Sequence, residues 1–391
     1  MTVEMLGNVR AVLAGRIAED ATVAYEDGAL LSIEEGRSYR GAADGRGAFC
    51  LPGLVDTHCD ALEREIFPRR TVELDAGFAL RCLESRFVAA GVTTAFHGAS
   101  FGDTYEGRSL EVARRETEAV AERRRGSRAM LDHRILYRIG ARNRRGLDEA
   151  LGLLGRGQDP CDTPLMSLED HTPGQGQYRD VEKFKEALGP EDLLPGEDVD
   201  SFVASRLAAA EKLVPNMVAN REKLSALAAE RAARVLVHDP DSAEAVRFAH
   251  EWGVAVAEFP VTVDAAEQAR DLGMPVVMGA PNVMRRASHS GNVSAEELVA
   301  LGLCTSLASD YHPASLLAAV FALANRGICS LPQAVGLVTS GPAEVVGLDD
   351  RGRLTPGLRA DFVLVQLDGA WPAVRAGNHG TAHWWSGDEN R

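Results

Sequence analysis

Beyond residue 50 the chain repeats one pattern: a short run of β-branched and apolar residues, then a longer stretch of helical character. The runs are "PGLVDTH", "GVTTAFHG", "HRILYRIG", "PLMSLEDH", "ARVLVHD", "GVAVAEFP", "MPVVMGAP" and "CTSLASD", beginning near residues 52, 91, 133, 164, 233, 253, 274 and 304. Between them, "GRSLEVARRETEAVAERRRG" carries apolar residues at three-to-four spacing amid charges, and "DSAEAVRFAHEWG" has a cap-like start and a glycine stop. The long helical stretch from Val199 contains Pro215, which predicts two helices or one kinked there. Strands alternating with helices imply parallel strands with right-handed crossovers, and eight such units predict a closed (β/α)8 barrel of the TIM type.

The first fifty residues read instead as hairpins of a small sheet, in pieces such as "AVLAGR", "ATVAYEDG" and "ALLSIEEG". After the eighth unit, "RGRLTPGLRADFVLVQLD" returns to β-type alternation. Residues 1–50 and 350–391 are therefore expected to form one small β-domain, and residues 51–349 the barrel.

Composition narrows the partners. A formal net charge of −15 argues against nucleic acid or anionic membrane, yet leaves room for a local basic pocket. No apolar run reaches the ~18 residues of a membrane span, and the first residues lack the pattern of a signal peptide. A cytoplasmic enzyme is expected, and the sequence leaves room for a homo-oligomer. Six cysteines (Cys50, Cys59, Cys82, Cys161, Cys304, Cys329) show no CxxC spacing.

In such barrels the chemistry sits at the C-terminal ends of the strands. There the sequence places His58 and Asp60, His97, Arg134 and Arg138, Asp170 and His171, His238 and Asp239, Glu258, Asn282, and Asp310. His58 and Asp60, two apart on a strand, project to one side. Alone they fit a hydrogen-bonded core pair as well as a metal site; the recurrence at strand after strand favours metal. Imidazole with carboxylate suits zinc foremost, with iron, manganese and nickel as alternatives. The four lysines (Lys183, Lys185, Lys212, Lys223) all lie away from strand ends, which excludes a bridging carboxylated lysine. A bridge would have to be a carboxylate such as Asp170 or Glu169, of which alternation lets only one face the mouth. His97 is open between lining the site and bonding a neighbour; His250, His379 and His383 are expected to play no part.

"LPGLVDTHCD", the strand-end His238 and Asp310 and the flanking small β-domain resemble the amidohydrolase superfamily of metal-dependent hydrolases. Longer motifs, among them "LEDHTPGQGQY", "VLVHDPDSAEAV", "SHSGNVSAEELVALGL" and "SDYHPASLL", resemble its phosphonate-metabolism branch. That resemblance implies hydrolysis of the triphosphate arm of α-D-ribose 1-methylphosphonate 5-triphosphate, with release of diphosphate. Leu136, Gly140, His97 and His312 depart from the branch's usual residues, which implies altered pocket walls and admits a different phosphorylated small molecule.

Cleaving a phosphoanhydride needs an activated water, charge neutralisation and a proton acceptor. One or two divalent metals are expected on His58, Asp60, Asp170, His238, Glu258 and Asp310. Asp310 is the expected general base, and His238 the second catalytic residue. Arg69, Arg134, Arg138, His171, Asn282, Arg285, Ser288, His289 and Asn292 are expected to bind substrate. The loop from Asn282 to Asn292 is expected to grip the polyphosphate ahead of a helix near Ser294, unless His289 binds metal instead. The rival reading is an amidohydrolase acting on an amide or amidine bond, as deacetylases and deaminases do. A metal-less scaffold would lack the strand-end ligands, which are present.

Overall fold

Each of the eight apolar runs forms a strand in the computed structural model. It describes residues 3–37, 39–69, 71–102, 109–126, 128–154, 162–189, 193, 197–287, 292–380 and 382–385. Four strands come first: β1 (Glu4–Val12), β2 (Ile17–Glu26), β3 (Ala29–Glu35) and β4 (Ala43–Pro52). The barrel follows: β5 (Leu54–Cys59), β6 (Val92–Ser100), β7 (Asp132–Gly140), β8 (Leu165–Glu169), β9 (Arg234–His238), β10 (Val256–Glu258), β11 (Val276–Gly279) and β12 (Ser306–Ala308). The chain ends in β13 (Phe362–Asp368), β14 (Trp371–His379) and β15 (Ala382–Trp385).

Strands β5 to β12 pair in sequence order, and every pairing is parallel. The sheet curls until its edges meet. Cys59 and Asp310 form a parallel bridge across the seam, where the Asp310 N–H donates to the His58 carbonyl at 2.9 Å. The Asp60 N–H in turn donates to the Asp310 carbonyl at 2.5 Å. Closure thus runs through the backbone of three candidate site residues.

Alternation sorts the side chains. Phe96, Leu136, Leu236, Val256, Val277 and Ala308, each from a different strand, pack together as a cluster of their own. The opposite faces pack under the helices in the main core, which explains why every residue of β5 and β6 is buried. Pro215 resolves as expected: helices Val199–Lys212 and Val214–Ala229 are separate, with the proline in the first turn of the second. Both belong to the connection between β8 and β9, which also carries helix Val181–Ala187.

The small sheet has the order β15-β14-β13-β4-β1-β2-β3. The C-terminal segment rejoins the N-terminal one because β13 pairs antiparallel with β4. Only Gly53 separates β4 from β5, and a Cβ there would lie 2.3 Å from Thr93 Oγ1. No helix among the described residues is long and apolar enough to cross a membrane.

Candidate active site

Inward positions at the strand ends supply the site's floor: His58 with Asp60 on and after β5, Arg138, Glu169, His238, Glu258 and, beyond β12, Asp310. Strand ends β9, β10 and β12 are followed or closed by residues in the left-handed region, Asp239 (φ 52°), Phe259 (φ 54°) and Asp310 (φ 56°). For non-glycine residues that conformation costs about 1–3 kcal/mol each. Breaking the alternation there allows Asp239 to join His238 at the cavity.

Glu258 ties the floor together. Its Oε1 is 2.8 Å from His58 Nδ1 and its Oε2 is 2.7 Å from His238 Nδ1, while the Ser167 hydroxyl donates to Oε2 at 2.6 Å. Burial would raise the pKa of Glu258, but the His58 charge and its hydrogen bonds hold it far below the usual carboxylate range. With both oxygens engaged, Glu258 sits behind the histidines and orients them, rather than standing beside them as an equal ligand. The two Nε2 atoms are left for the cavity: His58 Nε2 lies 3.2 Å from Asp60 Oδ1, and His238 Nε2 lies 3.5 Å from Asp239 Oδ2.

Two groups with metal-ligand chemistry result. In His58, Asp60 and Asp310, and again in His171, His238 and Asp239, donor atoms lie within 4.8 Å of one another. His58, His238 and Glu258 satisfy the same distance, through the hydrogen bonds just described. The donor set fits a divalent cation. Asp239 Oδ2 is buried without a hydrogen-bond partner, which a cation would relieve. Burial raises the Asp239 carboxyl to about 6. Against burial, the charges of Asp239 and Glu169 and the Glu258 contact raise His238 to about 9. Burial and the neighbouring Asp60 charge push Asp310 upward as well.

Arg138 lies between Asp60 and Glu169 and is 3% exposed. Its Nη2 donates to Glu169 Oε2 at 3.1 Å. It lines the cavity, yet its donors are committed to holding the two carboxylates. Room for this arrangement comes from Gly98, where a Cβ would lie 2.5 Å from Asp60 Oδ1 and 2.9 Å from Arg138 Cδ. Glu169 is the inward residue of its pair. Burial would raise it, but the Arg138 charge lowers it to about 2.

Asp170 is a correction: it faces Arg142 at 2.9 Å and accepts from the Thr172 hydroxyl at 2.5 Å, outside both ligand groups. Strand alternation sends it away from Glu169. Arg134 also lies elsewhere, since it occupies the start of β7 and pairs with Asp132 and Asp162 at 2.9 Å each. Arg69 is exposed and does not line the cavity. His97 is buried on the helix side, its Nε2 2.9 Å from His133 Nδ1 and its ring against Phe87. His379 is tied to Asp361 at 3.4 Å within the small sheet.

Over the floor opens a cavity of about 790 Å³. Of the expected substrate residues, Arg138, His171, Asn282, Arg285 and Asn292 line it. Asn282 and Arg285 stand on a short helix, Ala280–Arg285, where a loop was expected; Ser288 and His289 lie outside the described residues. Sequence reasoning missed Arg64 and Arg206, which also line the cavity, because neither is at a strand end. Among the described residues, Arg64, Arg206 and Arg285 have no carboxylate partner; Arg64 lies 5.0 Å over Tyr311 and Arg206 5.0 Å over Phe202.

A model of the amidohydrolase family matches residues 199–371. The chain is 35% identical over 378 residues to the alpha-D-ribose 1-methylphosphonate 5-triphosphate diphosphatase of Escherichia coli (strain K12), covering 94% of this chain and 98% of that protein. Among solved structures, it resembles an atrazine chlorohydrolase of Arthrobacter aurescens complexed with zinc and atraton, with TM-score 0.62 and 16% identity over 98% of this chain and 95% of that one. A prolidase complexed with N-methylphosphonate-L-proline is similar at TM-score 0.59 and 14% identity, over 99% of this chain and all of that one.

Proposed function

Because the chain belongs to the amidohydrolase family, we propose that its site hydrolyses a phosphoanhydride in a small triphosphate, with α-D-ribose 1-methylphosphonate 5-triphosphate as substrate. The observation that carries this reading is the mouth. Arg64, Arg206 and Arg285 line one cavity without carboxylate partners among the described residues, in a chain of net charge −15. Placing cations unpaired at one opening of an acidic protein suits a polyanion that supplies the missing charge. An amide or amidine group is not itself anionic and does not call for three arginines at the mouth.

The roles follow from position. One divalent cation would be held by His58, Asp60 and Asp310 and a second by His171, His238 and Asp239, supplying charge neutralisation and a more acidic water. Asp310 takes the proton from the attacking water; its buried, carboxylate-flanked setting makes it more basic than an exposed aspartate. Arg138 keeps Asp60 and Glu169 in place. Diphosphate leaves without needing a proton, and the mouth arginines hold it during departure.

The test is 31P NMR of the metal-loaded protein with α-D-ribose 1-methylphosphonate 5-triphosphate, beside an ammonia assay on amidine substrates. Diphosphate and ribose 1-methylphosphonate 5-phosphate are expected in equal amounts. Release of ammonia with no diphosphate would overturn the proposal.

A further inference from the structure

Beside the mouth arginine Arg206, the cavity has an aromatic wall. Tyr178, Phe184 and Phe202 line it, each partly exposed, with the Tyr178 and Phe184 rings 4.8 Å apart edge to face. The Arg206 guanidinium lies 5.0 Å over Phe202, so part of this wall is also cationic. Gln177 and Asn292 line the same cavity, with the Asn292 amide donating to the Gln177 carbonyl at 3.4 Å.

These rings are not the core of a small subdomain. Helix Val181–Ala187 has no buried residue, and helix Val199–Lys212 buries only Val203. Phe184 and Phe202, on elements that bury so little, remain available to cover a flat ligand. Their position relative to the floor is fixed by a sequence of ring contacts. His238 to His171 is 5.5 Å, and His171 to Tyr178 is 6.2 Å. The shelf therefore begins one ring beyond the metal-capable histidines. A compact tetrahedral phosphonate has no use for a stacking surface at that place; a planar heteroaromatic ring does.

We propose that Tyr178, Phe184 and Phe202 form a nucleobase shelf, and that the enzyme also hydrolyses nucleoside 5′-triphosphates to nucleoside monophosphate and diphosphate. The inference rests on the proposed function for the placing of the triphosphate. The water oxygen bonds to the α-phosphorus and its proton passes to Asp310. The bond from the α-phosphorus to the bridging oxygen breaks, and that oxygen leaves with its electron pair as part of diphosphate. No oxidant or further co-reactant enters.

The experiment compares ATP, ribose 5-triphosphate and inorganic tripolyphosphate on the metal-loaded enzyme, and on Phe202→Ala and Phe184→Ala. ATP is expected to show a KM about tenfold below that of ribose 5-triphosphate, and each substitution is expected to erase most of that advantage. Cleavage of ribose 5-triphosphate with equal or weaker use of ATP overturns the shelf and leaves the phosphoanhydride reading standing. If no triphosphate is cleaved, that reading falls, and calorimetry with non-hydrolysable α,β-methylene ATP decides the shelf. Binding that Phe202→Ala weakens about tenfold supports it; absence of binding overturns it.

Discussion

A carboxylate with both oxygens on imidazole Nδ1 atoms forces each ring to present Nε2 on the other side, and Glu258 does this for His58 and His238 together. A glutamine at this position keeps the shape but has one acceptor where two are needed. Glu258→Gln is therefore expected to weaken metal binding about 10–100-fold, measured by competition with a chelating dye. Undiminished affinity would remove Glu258 from its orienting role. Gly98 poses a steric question instead. A methyl group at this position would press on Asp60 Oδ1 and the Arg138 stem, so Gly98→Ala is expected to cost about 1–3 kcal/mol in urea unfolding. A change within about 0.5 kcal/mol would show that Arg138 and Asp60 shift freely, as an unimportant pair could. At this scale the sequence was legible for His58, Asp60, His238 and Asp310, whose strand-end positions follow from clear apolar runs. It was not legible between Glu169 and Asp170, where a one-residue difference in strand phase exchanges inside for outside. Asp239 was seen at a strand end, but aspartate only favours the left-handed backbone that gives it a place in the site beside His238 and does not dictate it.

Helix Ala76–Ala89 packs Ala79, Leu80, Leu83 and Phe87 into the barrel's core and adds one buried polar tie, Glu84. Glu84 accepts from the Met130 N–H at 2.7 Å and lies 3.1 Å from His133 Nε2, while Arg123 of helix Leu110–Arg125 donates to its other oxygen. Burial would raise its pKa, but the His133 and Arg123 hydrogen bonds lower it to about 2. A folded-state value below the unfolded one means the contribution is complete above about pH 4.5 and is lost as pH falls toward 2. Glu84→Gln should thus lower the melting temperature at neutral pH, and its melting temperature should fall less steeply than the parent's below pH 4.5. Parallel curves would show that Glu84 contributes through shape alone. The elements were legible in proportion to their burial. All eight barrel strands carry apolar runs because both faces are covered, whereas helix Ala280–Arg285 spans only six residues, with Pro281 in its first turn, and shows no helical period. His97 is explained at this scale too, since it completes the His133–Glu84 contact outside the barrel.

The whole molecule is closed at the candidate site. The last strand meets the first through backbone hydrogen bonds of His58, Asp60 and Asp310, and the side chains of the same residues form one of the two ligand groups. A cation on that group would bind both sides of the seam, so its binding free energy adds directly to closure. The small sheet would share in the effect. Gly53 is the whole connection between β4 and β5, and Phe49, Leu51, Val363 and Val365 of that sheet belong to the barrel's own core. Arg351 adds a buried tie, donating to Asp132 at 2.9 Å and Thr94 at 2.8 Å. Chelation should therefore lower the melting temperature of both units together, as one transition in calorimetry. Free metal at 100 times its dissociation constant should restore about 2.7 kcal/mol. Hydrogen exchange gives the local readout: amide protection of Asp60 and Asp310 should fall on chelation, ahead of β1 and β2. A melting temperature and seam protection both unaffected by metal removal would show that the metal does not bridge the seam.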